Sequence, residues 1–144
     1  MKPATVIEST LRVRYAETDA EGVVYYANYL IYMEVARVNY LRALGVDRGI
    51  WGVHGLGLVI AEALCRYHAP AHFDEELVIR AWLESTRRSS SVMHYEVVHK
   101  ESGRLLADGH TVQVFVDLKT MKPAPIPAEV LEKLRSEVGG RQAE

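Results

Sequence analysis

Between Thr10 and Ala16 the side chains alternate, with Leu11, Val13 and Tyr15 set between Thr10, Arg12, Arg14 and Ala16. A period of two marks a strand with one buried face. It gives way to Glu17-Thr18-Asp19-Ala20-Glu21-Gly22, a polar stretch ending in glycine and therefore a loop. The pattern then changes period. From Tyr29 to Leu44 only Glu34, Arg37, Asn39 and Arg42 are charged or amide residues, which predicts a helix with Asn28 as N-cap and Gly45 as its C′ stop. Leu30, Met33, Tyr40, Leu41 and Leu44 form one apolar stripe, and Ile31, Val35 and Val38 add a second flank. A helix apolar over so much of its circumference is expected to be enclosed by other structure, which would also shelter its N-terminus.

Val46 to Gly57 is rich in glycine and reads as a loop anchored by Trp51. Strand patterns follow at Leu58–Tyr67, Glu76–Glu84, Val92–His99 and Leu105–Val116, with Glu101-Ser102-Gly103 as a hairpin turn. Pro123, Pro125 and Pro127 break the pattern. Pro127 then suits the first residue of a short closing helix to about Val138, followed by Gly139. Strands joined by short turns must pair antiparallel. The order predicts an α+β domain spanning residues 1–144, a five-stranded antiparallel sheet around one long central helix.

Composition narrows the function classes. Apolar residues make up 49% and charged residues 25%, the balance of a globular chain able to build a core. A net charge of −2 lacks the basic field of a nucleic-acid binder, so an anionic ligand would need a local Lys/Arg cluster. Cys65 alone cannot form an internal disulfide, consistent with a reducing compartment. No stretch approaches the roughly 20 apolar residues needed to span a bilayer, and Glu8 interrupts the only N-terminal candidate for a signal peptide. These features predict a cytoplasmic protein with neither nucleic acid nor membrane as partner.

The start of an enclosed helix is where chemistry is expected. Its first N–H groups have no partner inside the helix, and the peptide dipoles add partial positive charge there. Aimed at a carbonyl oxygen, such donors form an oxyanion hole, each worth about 3–4 kcal/mol of transition-state stabilisation. Asp19 sits on a glycine-containing loop close enough in sequence to fold back beside Tyr26 and Ala27. A carboxylate there can attack a polarised acyl carbon or deprotonate a water that does. A thioester suits such a site, because its carbonyl is poorly resonance-stabilised and its thiolate leaves readily. Spacing alone also allows Asp19 to be an ordinary loop or capping residue.

The segment resembles the 4-hydroxybenzoyl-CoA thioesterase branch of the hotdog-fold superfamily, which includes small bacterial acyl-CoA thioesterases. The matching elements are the Asp19-x-x-Gly22 loop, the pair Tyr25-Tyr26, and Asn28-Tyr29 opening a helix that carries Glu34, Ala36 and Arg37. The strand end at Asp117 and the Pro123 and Ile126-Pro127 segment are similar to later family features. The resemblance implies Asp19 as nucleophile or general base, Tyr26 as a backbone oxyanion donor, and Gly22 and Tyr29 as substrate-side residues. It implies a cofactor-free hydrolase of acyl-CoA. It further implies homodimers joined edge to edge, or homotetramers, with active sites at subunit interfaces. Another hotdog branch uses a helix glutamate, but with Asp19 in place Glu34 reads as a structural partner of Arg37.

Arg87, Arg88, Ser89 and Ser90 lie in a turn between two strands and can hold the phosphates of coenzyme A, or simply be a solvated hairpin tip. Arg104, Lys119 and Lys122 are weaker phosphate candidates. His68 and His72 are four apart, but Pro70 opposes the helix that would bring both to one metal, so none is expected. Two alternatives remain: a non-catalytic acyl-CoA or small-ligand binding module, and a hydratase. The hydratase would want a histidine near the helix start, and the first histidine is His54.

Overall fold

The structure, a computed structural model, describes residues 4–138. Gly139, expected to follow the closing helix, lies outside the described residues. The chain runs β1 (Val6–Arg12), α1 (Asn28–Ala43), α2 (Arg48–Trp51), β2 (Leu56–Tyr67), β3 (Glu76–Thr86), β4 (Ser90–His99), β5 (Leu105–Asp117) and α3 (Ala128–Glu137). Among the described residues the strands form one antiparallel sheet in the order β1-β3-β4-β5-β2, which leaves β1 and β2 as its edges. This is the expected α+β hotdog arrangement. No helix among the described residues is long and apolar enough to cross a membrane.

The first strand starts and ends earlier than its alternation suggested. β1 pairs with β3 from Val6↔Trp82 to Arg12↔Glu76, and beyond Arg12 that ladder with β3 ends. The chain instead winds into a turn of 3-10 helix over Tyr15–Glu17. Val13 still anchors it, accepting from the Asp74 N–H and donating to the Glu75 carbonyl, both at 2.9 Å. At the other edge β2 runs against β5 from Leu56↔Asp117 to Tyr67↔Ala107. Gly109 permits their close approach, because a Cβ there would strike the Leu64 carbonyl.

Helix α1 lies across the sheet, mainly over β1 and β3. Its core face is Tyr29, Tyr32, Met33, Ala36 and Tyr40, packed with Leu77, Ile79, Ala81, Leu83, Met93 and Tyr95. Of the expected stripe, Met33, Tyr40 and Leu44 are buried and Leu41 packs partly against the core, but Leu30 is exposed and Tyr29, Tyr32 and Ala36 join the core face instead. The long tyrosines span the gap to the sheet while small Ala36 lets the helix approach it. Leu30, Ile31, Val35 and Val38 are left 37–51% exposed, so a single chain does not enclose the helix. Trp51 anchors the glycine-rich segment as expected, its indole N–H donating to the Val46 carbonyl at 3.1 Å, although that segment coils into α2. Pro127 caps α3 rather than opening it.

Candidate active site

The loop after β1 is organised by Glu17, a buried carboxylate. Its Oε1 accepts from the Arg14 N–H and from the Tyr32 hydroxyl, each at 2.8 Å, and its Oε2 faces the Arg14 guanidinium at 2.9 Å. Burial pushes this carboxyl's pKa up, but the Arg14 N–H, Tyr32 and the guanidinium together outweigh burial and hold it below its ordinary value. The Glu17 carbonyl accepts from the Tyr25 N–H and from the Asn28 side-chain amide, both at 2.8 Å. One residue thus ties the loop to the helix start. Sequence reasoning missed it, because an acidic residue in a polar loop looks solvated.

Two residues on, Asp19 closes a tight turn. Its Oδ1 accepts from the Glu21 N–H at 2.9 Å, and its carbonyl accepts from the Gly22 N–H at 3.0 Å. Gly22 takes φ +80°, a backbone conformation that costs glycine nothing. Oδ2 has no hydrogen-bond partner among the described residues.

Asn28 is not the N-cap. The cap is Ala27, already helical in backbone, and Asn28 is the first helical residue, with its amide turned back to the Glu17 carbonyl. The peptides ahead of the helix are held by their carbonyls. Tyr25 O accepts from the Asn28 N–H at 2.9 Å; Tyr26 O accepts from the Tyr29 N–H at 3.3 Å and from the Tyr67 hydroxyl at 3.0 Å. Among the described residues no acceptor meets the N–H of Tyr26 or of Ala27.

Asp19, Tyr26 and Tyr29 line one cleft of about 350 Å³ with Val23, Val24, Tyr67 and Pro70. The negative charge of Asp19 is felt at Tyr25, whose pKa is pushed up first by the neighbouring Tyr26 hydroxyl and further by that carboxylate. Gly22 and Ala27 are not among the cleft's walls; Gly22 belongs to the Asp19 turn and Ala27 caps the helix. Glu34 is exposed on α1 and does not line the Asp19 cleft, and its expected partner Arg37 instead donates to the Tyr95 hydroxyl at 3.3 Å.

The basic turn is not brought to this cleft. Arg87, Arg88, Ser89 and Ser90 follow the last residue of β3, whereas the Asp19 loop adjoins the residues before its first. At about 3.3 Å per residue, the two lie roughly 30 Å apart in one chain. The turn itself is well braced: the Arg87 N–H donates to Ser90 O at 2.7 Å, and Arg88 O accepts from the Ile126 N–H at 2.8 Å.

The cleft thus sets a carboxylate with one oxygen free of hydrogen bonds beside Tyr26, at a helix start where two N–H groups meet no acceptor among the described residues. The sequence matches the thioesterase-like superfamily over residues 13–134. The chain belongs to the thioesterase-like superfamily. It is similar to an acyl-CoA thioester hydrolase of Escherichia coli O157:H7, 31% identical over 131 residues that cover 91% of this chain and 97% of that protein. A 1,4-dihydroxy-2-naphthoyl-CoA hydrolase of Thermosynechococcus vestitus is 30% identical over 138 residues, 94% of this chain and 93% of that protein. Among solved structures, a DHNA-CoA thioesterase from Staphylococcus aureus superposes with a TM-score of 0.84 at 28% identity, covering 91% of each chain.

Proposed function

We propose that this superfamily member hydrolyses acyl-CoA thioesters as a single domain, using Asp19 and the N–H groups of Tyr26 and Ala27. The observation that carries the reading is the shared cleft: the free Oδ2 of Asp19 belongs to the residue lining it beside Tyr26, whose N–H and that of Ala27 lack acceptors. With the thioester oxygen on those donors, Asp19 either attacks the acyl carbon, giving an anhydride that water opens, or takes a proton from water as water attacks. CoA thiolate leaves in both routes. The acyl-CoA substrates named for the relatives support the leaving group. Asp19→Asn keeps the shape and removes the charge; kcat should fall by about 10²–10⁴-fold with KM little changed. A variant turning over acyl-CoA at close to the wild-type rate would end this reading.

The same proposal includes assembly. Pairing β2 with β2 of a second copy about a two-fold axis would extend the sheet and cover part of the apolar face of α1. Because such pairing is antiparallel, it would bring the partner's Arg87 and Arg88 to the end of the sheet where Asp19 lies. From β2 to the partner's β4 is three strand spacings, about 15 Å. That is a reach suited to the span between a thioester and the phosphates of CoA. The basic turn would then serve the neighbouring active site in a homodimer or homotetramer.

A further inference from the structure

Tyr67 ends β2, remote in sequence from the Asp19 loop, yet its side chain lines the same cleft. Its ring stands edge-on to Tyr29, with centroids 5.3 Å apart at 81°, and edge-on to Tyr26, 6.4 Å apart at 89°. Held between them, its hydroxyl donates to the Tyr26 carbonyl at 3.0 Å.

We propose that Tyr67 is a positioning residue for the oxyanion hole, fixing the direction of the Ala27 N–H through its bond to the Tyr26 carbonyl. The inference rests on the hydrolase reading above. Its physical basis is the planarity of the amide. In a trans peptide the C=O and N–H point in opposite directions, so a group that pins the oxygen also aims the hydrogen.

The two peptides of the hole are pinned unequally by the backbone. The one ending in the Tyr26 N–H has its oxygen, Tyr25 O, in a good 2.9 Å bond from Asn28. The one ending in the Ala27 N–H has only a 3.3 Å backbone bond, from Tyr29, at the long edge of the useful range. Tyr67 supplies what the backbone does not. A hydrogen bond accepted at the carbonyl also polarises the amide and makes its N–H a better donor. The phenol remains a donor at working pH: burial, followed by the Cys65 thiol beside it, pushes its pKa up to about 12.

Tyr67→Phe tests this, since it keeps both ring contacts and removes only the hydroxyl. The loss of one neutral hydrogen bond predicts a kcat roughly three- to tenfold lower, with KM for acyl-CoA within about twofold of wild type. The amide nitrogen resonance of Ala27 should move upfield, while that of Tyr26, whose peptide is pinned by Asn28, should stay. An unchanged kcat, a loss confined to KM, or a motionless Ala27 resonance would each overturn the proposal. If the wild-type protein hydrolyses no acyl-CoA, the hydrolase reading fails and takes the catalytic half of this one with it. The resonance would then still decide whether Tyr67 holds that peptide.

Discussion

Replacing Glu17 in two ways separates the charge of its carboxylate from its hydrogen bonds. In Glu17→Ala the Tyr32 hydroxyl, on a residue only 2% exposed, loses its acceptor, at about 1–3 kcal/mol. The Arg14 N–H loses its carboxylate too, for about 1 kcal/mol more. The guanidinium adds little: the Arg14 side chain is 77% exposed and can turn to water, so that pair is worth about 0–1 kcal/mol. The total is about 2–5 kcal/mol. Glu17→Gln can place its carbonyl oxygen where Oε1 stands and keep both the Arg14 N–H and Tyr32 bonds, so it should cost only about 1 kcal/mol. Urea unfolding followed by circular dichroism gives both values, provided the slopes match wild type. Arg14→Ala serves as the control and should cost no more than Glu17→Gln. The reasoning fails if Gln is as damaging as Ala, because the exposed ion pair would then carry the energy. It also fails if Ala costs under about 1 kcal/mol, because water would then be replacing the carboxylate at Tyr32.

Two further outcomes follow from the same geometry. Glu17 and Glu75 both titrate below the ordinary value of 4.5, since hydrogen bonds and neighbouring cations (Arg14 for one, His72 and His99 for the other) outweigh burial. A carboxyl depressed in the folded state stabilises above its unfolded pKa and loses that contribution as pH falls through the folded one. The urea midpoint should therefore drop on acidification below about pH 4.5, and the gap between wild type and Glu17→Gln should narrow with it; a constant gap refutes this. For the basic turn, replacing Arg87 and Arg88 together with alanine should raise KM for acyl-CoA roughly tenfold, yet leave KM for an acyl-N-acetylcysteamine thioester, which has no phosphates, unchanged. Equal effects on both, or none on acyl-CoA, would make the turn a solvated hairpin.

Where burial follows a simple period, the sequence was legible. β3, β4 and β5 alternate over most of their length, and their expected spans differ from the observed ones by no more than two residues at either end. The helix was legible in extent but not in orientation. Hydropathy favoured Leu30 and Leu41 over Tyr29 and Tyr32, yet a tyrosine can bury its ring and still satisfy its hydroxyl, as Tyr32 does on Glu17. The place of Asp19, on a loop ahead of the helix and in one cleft with Tyr26, was legible from spacing, whereas its proposed role came from the family resemblance. Glu17 and Tyr67 were not legible, since each acts through a bond whose other end no local pattern reveals.

Those two residues also show how the site depends on the fold. The Asp19 turn and the helix start share one span of chain, and bonds to residues elsewhere in the fold add to their local hydrogen bonds. Glu17 reaches under α1 to Tyr32, and Tyr67 arrives from the edge strand. Because β2 is one of the sheet's two edges, the strand proposed to pair with a second copy is the one that holds the Tyr26 carbonyl. A change in how β2 is paired would therefore reach the Ala27 N–H through one side chain. This makes Tyr67 the residue through which assembly and chemistry would be coupled, and loss of its hydroxyl should weaken catalysis without weakening association.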